Sequence, residues 1–478
     1  MTSSEEPQFP TLADDVRAAL KQWHGDANAQ SPLGYLYLFR KIARERQERN
    51  LIGERGVTNQ LLCDALTRLR FTNDTDAEFL QFRFLDLWPI QRLTNQYNVA
   101  ESTAYTMQTH AIERLAETLR MMEIEASAAH KELLRARLEP ASYTNLVGMS
   151  DFVAQLEMKL TSADAPWLIA LEGLGGIGKT SLADFVTRRL IQQGTVDEVG
   201  WVTARQTWIN LGGLLRKSDK PALTAKGLVE RLAAQLLPDP NTALRLSLDE
   251  LLATLQRRLR AIPHLIVVDN LETVVDVESL LPTLQTLVNP SRVIMTSRES
   301  LRIAPNIYHL KLNELSRQDA LTLIRQEALL SNLPLLAECT DETLLPLIDA
   351  VGGNPLALRL VAGQTHVYSL ESIVQDLIKA RSETVENLYT FIYRRAWDGL
   401  DAMTKRVFLA MPLAQPGGES LEFLAGVCQL ESGDVRRALN NLVLFNLVDA
   451  RGGINDRRYA IHSLTRTFLQ EQVARWRQ

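Results

Sequence analysis

The glycine-rich stretch GLGGIGKT, at residues 173–180, constrains the fold more than any other part of the sequence. The apolar run before it, Trp167 to Leu171, is predicted to be a β-strand, and the amphipathic run from Lys179 to Gln193 is predicted to be a helix. A GxxxxGKS/T pattern between a strand and a helix is typical of a phosphate-binding loop, or P-loop. The alternative, a glycine-rich turn without a ligand, does not account for both flanking elements.

Each residue type in the P-loop has a role in binding a phosphate chain. The glycines let backbone N–H groups close around phosphate oxygens, Lys179 reaches the outer phosphates, and the Thr180 hydroxyl can ligate Mg²⁺. The N-terminus of the following helix adds a favourable dipole. We therefore expect a nucleotide with Mg²⁺ as the ligand. The expected contacts are Gly173, Gly175, Gly176, Gly178, Lys179, Thr180 and Ser181.

A second predicted strand, His264 to Asp269, ends in a carboxylate. A magnesium–nucleotide site needs such a group opposite the Thr180 hydroxyl, so Asp269 is expected to be the second metal contact. Asn270 comes next and cannot act as a base, whereas Glu272 could orient a water molecule or be a solvated loop acid. The sequence leaves ATPase activity open and predicts slow hydrolysis if it occurs.

Short apolar runs alternate with amphipathic runs from Asn145 to about residue 313. This alternation predicts a parallel sheet with helices on both faces, and hence an α/β fold. The remaining strands are predicted at Gly200 to Ala204, Arg292 to Thr296 and Tyr308 to Leu312.

Helical patterns flank the α/β region on both sides. Residues 11 to about 138 have a helical pattern, and Glu101 to Glu139, without Gly or Pro, is predicted to be one long helix or two in near-continuous register. Helical signals return at Ser316 and continue to the C-terminal segment, where a polar turn precedes a final strand and helix. Four domains are expected, at residues 1–143, 144–313, 314–384 and 385–478.

The bulk properties exclude several classes of protein. The net charge of −5 gives no overall attraction to nucleic acid or to an anionic membrane, and no apolar run approaches the roughly 20 residues that span a bilayer. Cys63, Cys339 and Cys428 form no metal-binding or disulfide pattern, so buried thiols in a reducing compartment are expected. We therefore expect a soluble, cytoplasmic protein with no membrane partner.

Motifs along residues 144–478 resemble, in order, those of the NB-ARC branch of the STAND signalling ATPases. The first is LVGM, residues 146–149, which is similar to the segment beside the adenine. The resemblance implies that Val147 and Gly148 contact the nucleotide. Met149 stands where an arginine is usual, so one polar contact differs from the family pattern.

The second motif, RVIMTSR at residues 292–298, resembles the family's sensor strand. The family's arginine reads the terminal phosphate, and the resemblance implies this role for Arg298. A planar, permanently charged guanidinium suits phosphate. The groups expected to take part in any hydrolysis are therefore Lys179, Asp269, Glu272 and Arg298.

Two further motifs complete the resemblance. GGNPLAL, residues 352–358, is similar to the GLPL segment, in which the proline packs near adenine and ribose, and this role passes to Pro355. Asn354 replaces the usual leucine. YAIHSL, residues 459–464, resembles the MHD segment of a winged-helix domain, although a serine replaces the aspartate. The resemblance implies that His462 touches the β-phosphate of ADP and holds a closed, resting form.

Residues 88–116 have helix-turn-helix spacing and are similar to the sigma-factor region-four fold. In that arrangement Arg92 would be available to phosphate. The residues expected to face a DNA major groove are Thr103, Tyr105, Thr106 and Thr109. Because residues 1–145 contain slightly more acidic than basic residues, a helical interaction or oligomerisation domain is an equal alternative.

Three functions follow from these patterns. The first is an ADP/ATP-binding signalling switch whose nucleotide state controls domain packing and an N-terminal effector, such as a DNA-binding transcription regulator. The second is an interaction or defence protein that oligomerises when ATP-bound and does not bind DNA. The third is a constitutive ATPase. The sequence leaves open the signal, its sensor or partner, the DNA site and the oligomer size.

Overall fold

The computed structural model describes residues 10–48, 53–141, 143–164, 166–204, 223–239, 245–271, 274–297, 306–381, 385–415, 417–453, 456–462, 465–466 and 468–469. The chain divides into two compact units, residues 1–133 and 134–478. No helix within these described ranges has the length and apolar character needed to cross a membrane.

The described part of the N-terminal unit is helical. The described helices are α1 (Leu12–Lys21), α2 (Tyr37–Glu48), α3 (Glu54–Thr72), α4 (Asp74–Leu80), a π-helical turn (Gln81–Leu85), α5 (Ile90–Tyr97) and α6 (Glu101–Ala136). Helix α6 is continuous over 36 residues, which confirms the single-helix alternative. Its residues Ala111, Ile112 and Leu115 are fully buried in a core shared with α1, α2 and α3, so its apolar stripe holds the unit together.

Helices α5 and α6 are joined by a short turn. Asn98 adopts the left-handed conformation, with φ of 50°, and ends α5, and two residues separate it from the start of α6 at Glu101. Asparagine tolerates this conformation better than most residues. Leu93 and Ala104 are buried across the turn with Phe79, whereas Tyr105 is 47% exposed. The turn therefore joins two helices packed on a small apolar cluster.

The C-terminal unit contains a five-stranded sheet of order β2-β3-β4-β1-β5. The strands are β1 (Leu168–Glu172), β2 (Glu198–Thr203), β3 (His264–Leu271), β4 (Arg292–Ser297) and β5 (Ile307–Lys311). All neighbouring pairs are parallel. The predicted parallel α/β sheet is confirmed, with strand ends shifted by one or two residues.

Helices cover both faces of this sheet. In β1, Leu168 and Ala170 belong to one apolar cluster, whereas Ile169 and Leu171 belong to another, as the two-residue period of a strand requires. The described helices of this region are α7 (Ser150–Thr161), α8 (Lys179–Gln193), α9 (Ala225–Leu236), α10 (Leu248–Ala261) and α11 (Val274–Leu287).

Helices and one hairpin follow the sheet. The described helices are α12 (Arg317–Leu330), α13 (Pro334–Ala337), α14 (Asp341–Val351), α15 (Pro355–Gln364), α16 (Leu370–Arg381), α17 (Val385–Asp398), α18 (Ala402–Ala410), α19 (Leu421–Cys428) and α20 (Ser432–Leu444). Strands β6 (Asp449–Arg451) and β7 (Arg458–Ala460) form an antiparallel hairpin. One apolar cluster contains Leu358 of α15, Phe408 of α18 and Leu439 of α20, so this region has a shared core.

The expectation of buried cysteines is only partly right. Cys428 is buried and Cys339 is half-buried, but Cys63 is exposed. Cys63 lies on α3, whose buried face is formed by residues such as Leu62 and Leu66. Helical periodicity therefore turns Cys63 towards solvent.

Candidate functional site

The P-loop connects the end of β1 to the start of α8. Lys179 is buried, and its Nζ donates hydrogen bonds to the carbonyl oxygens of Gly173 (2.7 Å) and Leu174 (2.8 Å). These two bonds hold the Lys179 side chain against the P-loop. Gly178 precedes the helix with φ of 103°, a conformation that L side chains rarely adopt, which explains glycine at this position.

Three side chains meet where β3 and β4 approach the P-loop. The Oδ1 atom of Asp269 accepts hydrogen bonds from the hydroxyls of Thr180 and Thr296, each at 2.7 Å. Asp269 is buried, and the Thr296 hydroxyl in turn accepts a bond from the backbone N–H of Asn270 at 2.8 Å. A carboxylate beside a hydroxyl offers the oxygen ligands that Mg²⁺ prefers, so Thr180 and Asp269 fit the predicted metal contacts.

A cavity of about 520 Å³ lies beside the P-loop. This volume is within the range of small-molecule sites. Val147, Pro355 and His462 all line it, together with Gly176, Gly178 and Ser181 of the P-loop region. Three motifs that are far apart in the sequence therefore share one cavity.

His462 also lines a smaller cavity directly over the P-loop. The other residues of that cavity are Gly175, Gly176, Gly178, Lys179, Thr180, Ser181, Asn270, Leu271 and Thr296. This is the position at which phosphates would be cradled. The C-terminal segment thus contributes a histidine to the phosphate side of the site.

The segment LVGM packs against both the P-loop and α12. Gly148 has φ of 68°, and a Cβ atom there would lie 2.8 Å from the Leu315 side chain and 2.9 Å from that of Asp319, so a larger residue would be strained and would displace these side chains. Met149 is buried, and its Cε lies 3.1 Å from the position that a Cβ of Gly178 would take. The methionine makes an apolar contact where the family pattern has an arginine.

An ion-pair network lies at the edge of the larger cavity. The Arg359 guanidinium on α15 pairs with Glu327 of α12 at 3.0 Å and with Asp449 of β6 at 3.5 Å. Burial lowers the pKa of Arg359, but these two carboxylates outweigh that effect and place its pKa above the usual value. Arg451 pairs with the other oxygen of Asp449 at 3.3 Å. The hairpin is thereby tied to α12 and α15.

Tyr143 lines the same cavity and is fixed by a polar network beneath it. Its hydroxyl donates to Asp184 of α8 at 2.7 Å, and Asp184 also accepts from Arg188 at 2.7 Å. Burial and the Asp184 carboxylate raise the pKa of Tyr143. The Tyr143 hydroxyl is therefore protonated and held by Asp184 at the edge of this cavity.

Two predicted site residues, Glu272 and Arg298, lie outside the described residues. Their predicted roles remain predictions from the sequence. The same applies to the serine in the YAIHSL motif.

Residues 149–333 match the family model of the NB-ARC domain. The chain contains an NB-ARC domain. This match covers α7, the sheet and α12, and therefore the P-loop, Asp269 and the strand that carries Thr296.

Curated proteins that are similar to this chain come from bacteria and plants. It is similar to the regulatory protein AfsR of Streptomyces coelicolor, 25% identical over 371 residues that cover 72% of this chain and 34% of AfsR. It is also similar to the disease resistance-like protein DSC1 of Arabidopsis thaliana, 24% identical over 342 residues, 70% of this chain and 26% of DSC1. The chain thus matches about a quarter to a third of each relative.

A solved structure is also similar to this chain, namely a STAND protein with a tetratricopeptide repeat sensor from Pyrococcus horikoshii. The TM-score is 0.48 at 15% identity, and the match covers 70% of this chain and 43% of that one.

Sequence reasoning missed several residues around the P-loop and its cavity. Thr296 was recognised only as part of a strand, Asn354 only as a departure from a motif, and Tyr143 and Arg359 not at all. A polar residue at the end of an otherwise apolar strand was the one signal that could have singled out Thr296. The contacts of the other three depend on the tertiary structure.

Proposed function

We propose that this NB-ARC protein is a nucleotide-dependent signalling switch. ADP would occupy the cavity in a resting form, and exchange for ATP would change how the segments around it pack. The observation that carries this proposal is the convergence of Val147, Pro355 and His462 on the cavity beside the P-loop. A ligand that touches separate segments can bias their arrangement, because its affinity then differs between the alternative packings.

The residues of the site have distinct roles in this proposal. The P-loop and Lys179 bind the phosphates, Val147 and Pro355 flank the base and ribose, and His462 contacts the β-phosphate. Thr180 and Asp269 would hold Mg²⁺, which when bound neutralises phosphate charge. Gly173, Gly175, Gly176, Gly178 and Ser181 complete the phosphate cradle, Gly148 packs beside the base, and Arg298 and Glu272 keep their predicted roles at the terminal phosphate.

The output of the switch is proposed to act through the N-terminal unit. The relative named a regulatory protein supports a transcription regulator, and the relative named a disease resistance-like protein supports an oligomerising defence protein. We favour the DNA-binding form, in which Thr103, Tyr105, Thr106 and Thr109 face the major groove. Arg92 already lies over the Trp88 ring at 3.5 Å, so a phosphate contact by Arg92 would have to share or replace that interaction.

The four domains expected from the sequence belong to this proposal, with residues 385–478 as a winged-helix domain. Three helices, α18 to α20, followed by the β6–β7 hairpin support that assignment. ATP binding would open the packing around the hairpin and permit oligomerisation.

The nucleotide that copurifies with the protein tests the proposal first. The wild type is expected to release ADP on denaturation, and Lys179→Ala is expected to release much less because the phosphates lose their main cation. Lys226→Ala is the matched control, because Lys226 is an exposed lysine of α9 in the same unit. A wild type that purifies empty and turns ATP over rapidly without a partner would overturn the switch and favour a constitutive ATPase.

DNA binding is tested separately from the switch. Retention of the protein on duplex DNA should fall steeply with salt if residues 88–116 contact phosphates. Nucleotide-dependent assembly without any retention on DNA at low salt would favour the defence alternative.

A further inference from the structure

Asn354 makes two different kinds of hydrogen bond between the P-loop and α15. Its side-chain oxygen accepts from the backbone N–H groups of Leu356 (3.1 Å) and Ala357 (3.3 Å), which caps the N-terminus of the helix. Its amide nitrogen donates to the carbonyl oxygen of Gly175 at 2.9 Å. Asn354 is only 2% exposed, so these bonds are made away from solvent.

The surroundings of Asn354 require an amide. Two N–H donors lie on one side of the group and a carbonyl acceptor lies on the other, so the group must accept and donate at once. An ionised carboxylate can cap a helix but cannot donate. A serine hydroxyl can also cap a helix but sits on a shorter side chain. Of the residues that commonly cap helices, asparagine meets both demands.

The backbones of the two segments also touch directly. The N–H group of Leu356 donates to the carbonyl oxygen of Gly176 at 3.3 Å. A Cβ atom on Gly176 would lie 2.7 Å from the Cβ of Leu356, which leaves no room for a side chain. The first turn of α15 is therefore pressed against the P-loop at Gly175 and Gly176.

The far end of α15 contacts the segment that leads into the hairpin. A Cβ atom on Gly363 would lie 2.6 Å from the backbone of Phe445, and the Asn446 side chain donates to the carbonyl oxygen of Arg359 at 2.8 Å. One helix thus touches the P-loop with its first turn and the C-terminal segment with its later turns.

We propose that Asn354 is a positioning residue for nucleotide binding. It holds the P-loop backbone against α15, so that phosphate binding is coupled to the orientation of α15 and of the segment packed on it. The proposal rests on the proposed nucleotide-binding function. It adds the connection through which a change of nucleotide at the P-loop would alter the position of α15.

Two substitutions that keep the helix cap test this role. Asn354→Ser is neutral but smaller, and Asn354→Asp has nearly the same shape but is charged. The loss that they share is the amide donor to Gly175. Asn73→Ser is the matched control, because the Asn73 oxygen caps α4 by accepting from Asp76 N at 3.1 Å and lies in the N-terminal unit.

The readouts are the dissociation constant for ADP and the thermal midpoint of the nucleotide-free protein. Both Asn354 variants are expected to bind ADP about tenfold more weakly, the order of effect when a buried hydrogen-bond partner is lost, while still unfolding cooperatively. Asn73→Ser is expected to bind ADP like the wild type. A residue that only caps α15 would leave ADP affinity unchanged in both Asn354 variants.

The ADP affinities of the wild type and of the two variants separate the two proposals. Wild-type ADP affinity in either Asn354 variant would overturn the proposal but leave the nucleotide-binding function intact. A loss of affinity only in Asn354→Asp would be due to its charge, and a loss only in Asn354→Ser would be due to its smaller size. A wild type that binds neither ADP nor ATP would overturn both proposals.

Hydrogen exchange in the wild type and in Asn354→Ser gives a second test. Saturation with ADP should slow amide exchange in the P-loop and at Leu356 and Ala357 in the wild type, and the slowing at Leu356 and Ala357 should be smaller in Asn354→Ser, because Asn354 connects the two segments. Equal slowing in the two proteins would contradict the role of Asn354. Exchange that slows in the P-loop but not at Leu356 and Ala357 would contradict the coupling.

Discussion

The Arg359 guanidinium and the Asp449 carboxylate lie 3.5 Å apart and join helix α15 to strand β6. Asp449 is mostly buried, and its second oxygen contacts Arg451 at 3.3 Å. One carboxylate therefore holds two guanidinium groups at the edge of the nucleotide cavity. Removing its charge would take one carboxylate partner from both guanidinium groups, while Glu327 still pairs with Arg359.

Asp449→Asn is expected to destabilise the C-terminal unit by about 1–2 kcal/mol, a value reduced from that of a fully buried pair because the Arg359 side chain is 28% exposed. Chemical unfolding measures the effect. Asp349→Asn is the matched control, since Asp349 pairs with Arg317 at an exposed site and should cost less than about 0.5 kcal/mol. Equal effects of the two substitutions would contradict a structural role for the Asp449 pair.

Gly176→Ala is expected to weaken nucleotide binding at least tenfold, because the new methyl group would lie 2.7 Å from Leu356 and push α15 from the P-loop. Gly194→Ala separates this clash from backbone strain. Gly194 has φ of 71°, close to the 76° of Gly176, but no atom lies within 4 Å of its Cβ position. The control should cost only the strain of about 1 kcal/mol and leave ADP affinity unchanged. Similar ADP affinities for the two variants would show that the contact with Leu356 is unimportant.

Asp269→Asn is expected to remove most of the gain that Mg²⁺ gives to ATP binding. The amide keeps an oxygen that can accept from the hydroxyls of Thr180 and Thr296, but it loses the negative charge that a magnesium ion needs. The measurement is the ratio of ATP dissociation constants with EDTA and with Mg²⁺. Asp249→Asn, at an exposed position of α10, should keep the wild-type ratio. A wild-type ratio in Asp269→Asn would exclude Asp269 as a metal contact.

Buried His264 is expected to make the α/β region acid-sensitive. Burial lowers its pKa from 6.5 to about 4, against a partly opposing bond to Ile262, so the unfolded chain binds more protons than the folded one between these values. The contribution of His264 to the unfolding free energy is therefore fully present above pH 6.5 and is lost as the pH drops towards 4. At pH 5 this loss is about 2 kcal/mol. His264→Asn, which cannot titrate, should show a smaller loss in unfolding midpoint between pH 7 and pH 5. Parallel pH profiles for the two proteins would contradict this assignment.

The local order of elements in this protein was predictable from the sequence. The five strands of the sheet and helix α8, Lys179–Gln193, appear where the apolar periods place them, because a strand or a helix buries its apolar face whatever its distant neighbours are. Strand ends differ by one or two residues because they depend on pairing with neighbouring strands. The P-loop was predictable for the same reason, since its glycines, Lys179 and Thr180 lie next to one another in the sequence.

The completed site was decided by the tertiary structure. Thr296 meets Asp269 across neighbouring strands, Asn354 reaches Gly175 from 179 positions further along the chain, and Arg359 meets Asp449 across two segments. The sequence by itself determined the type of ligand, through residues that act together because they are adjacent. Only the folded chain decided which distant side chains complete the phosphate cradle. A buried donor or acceptor needs a hydrogen-bond partner, and tertiary packing decides which residue that partner is.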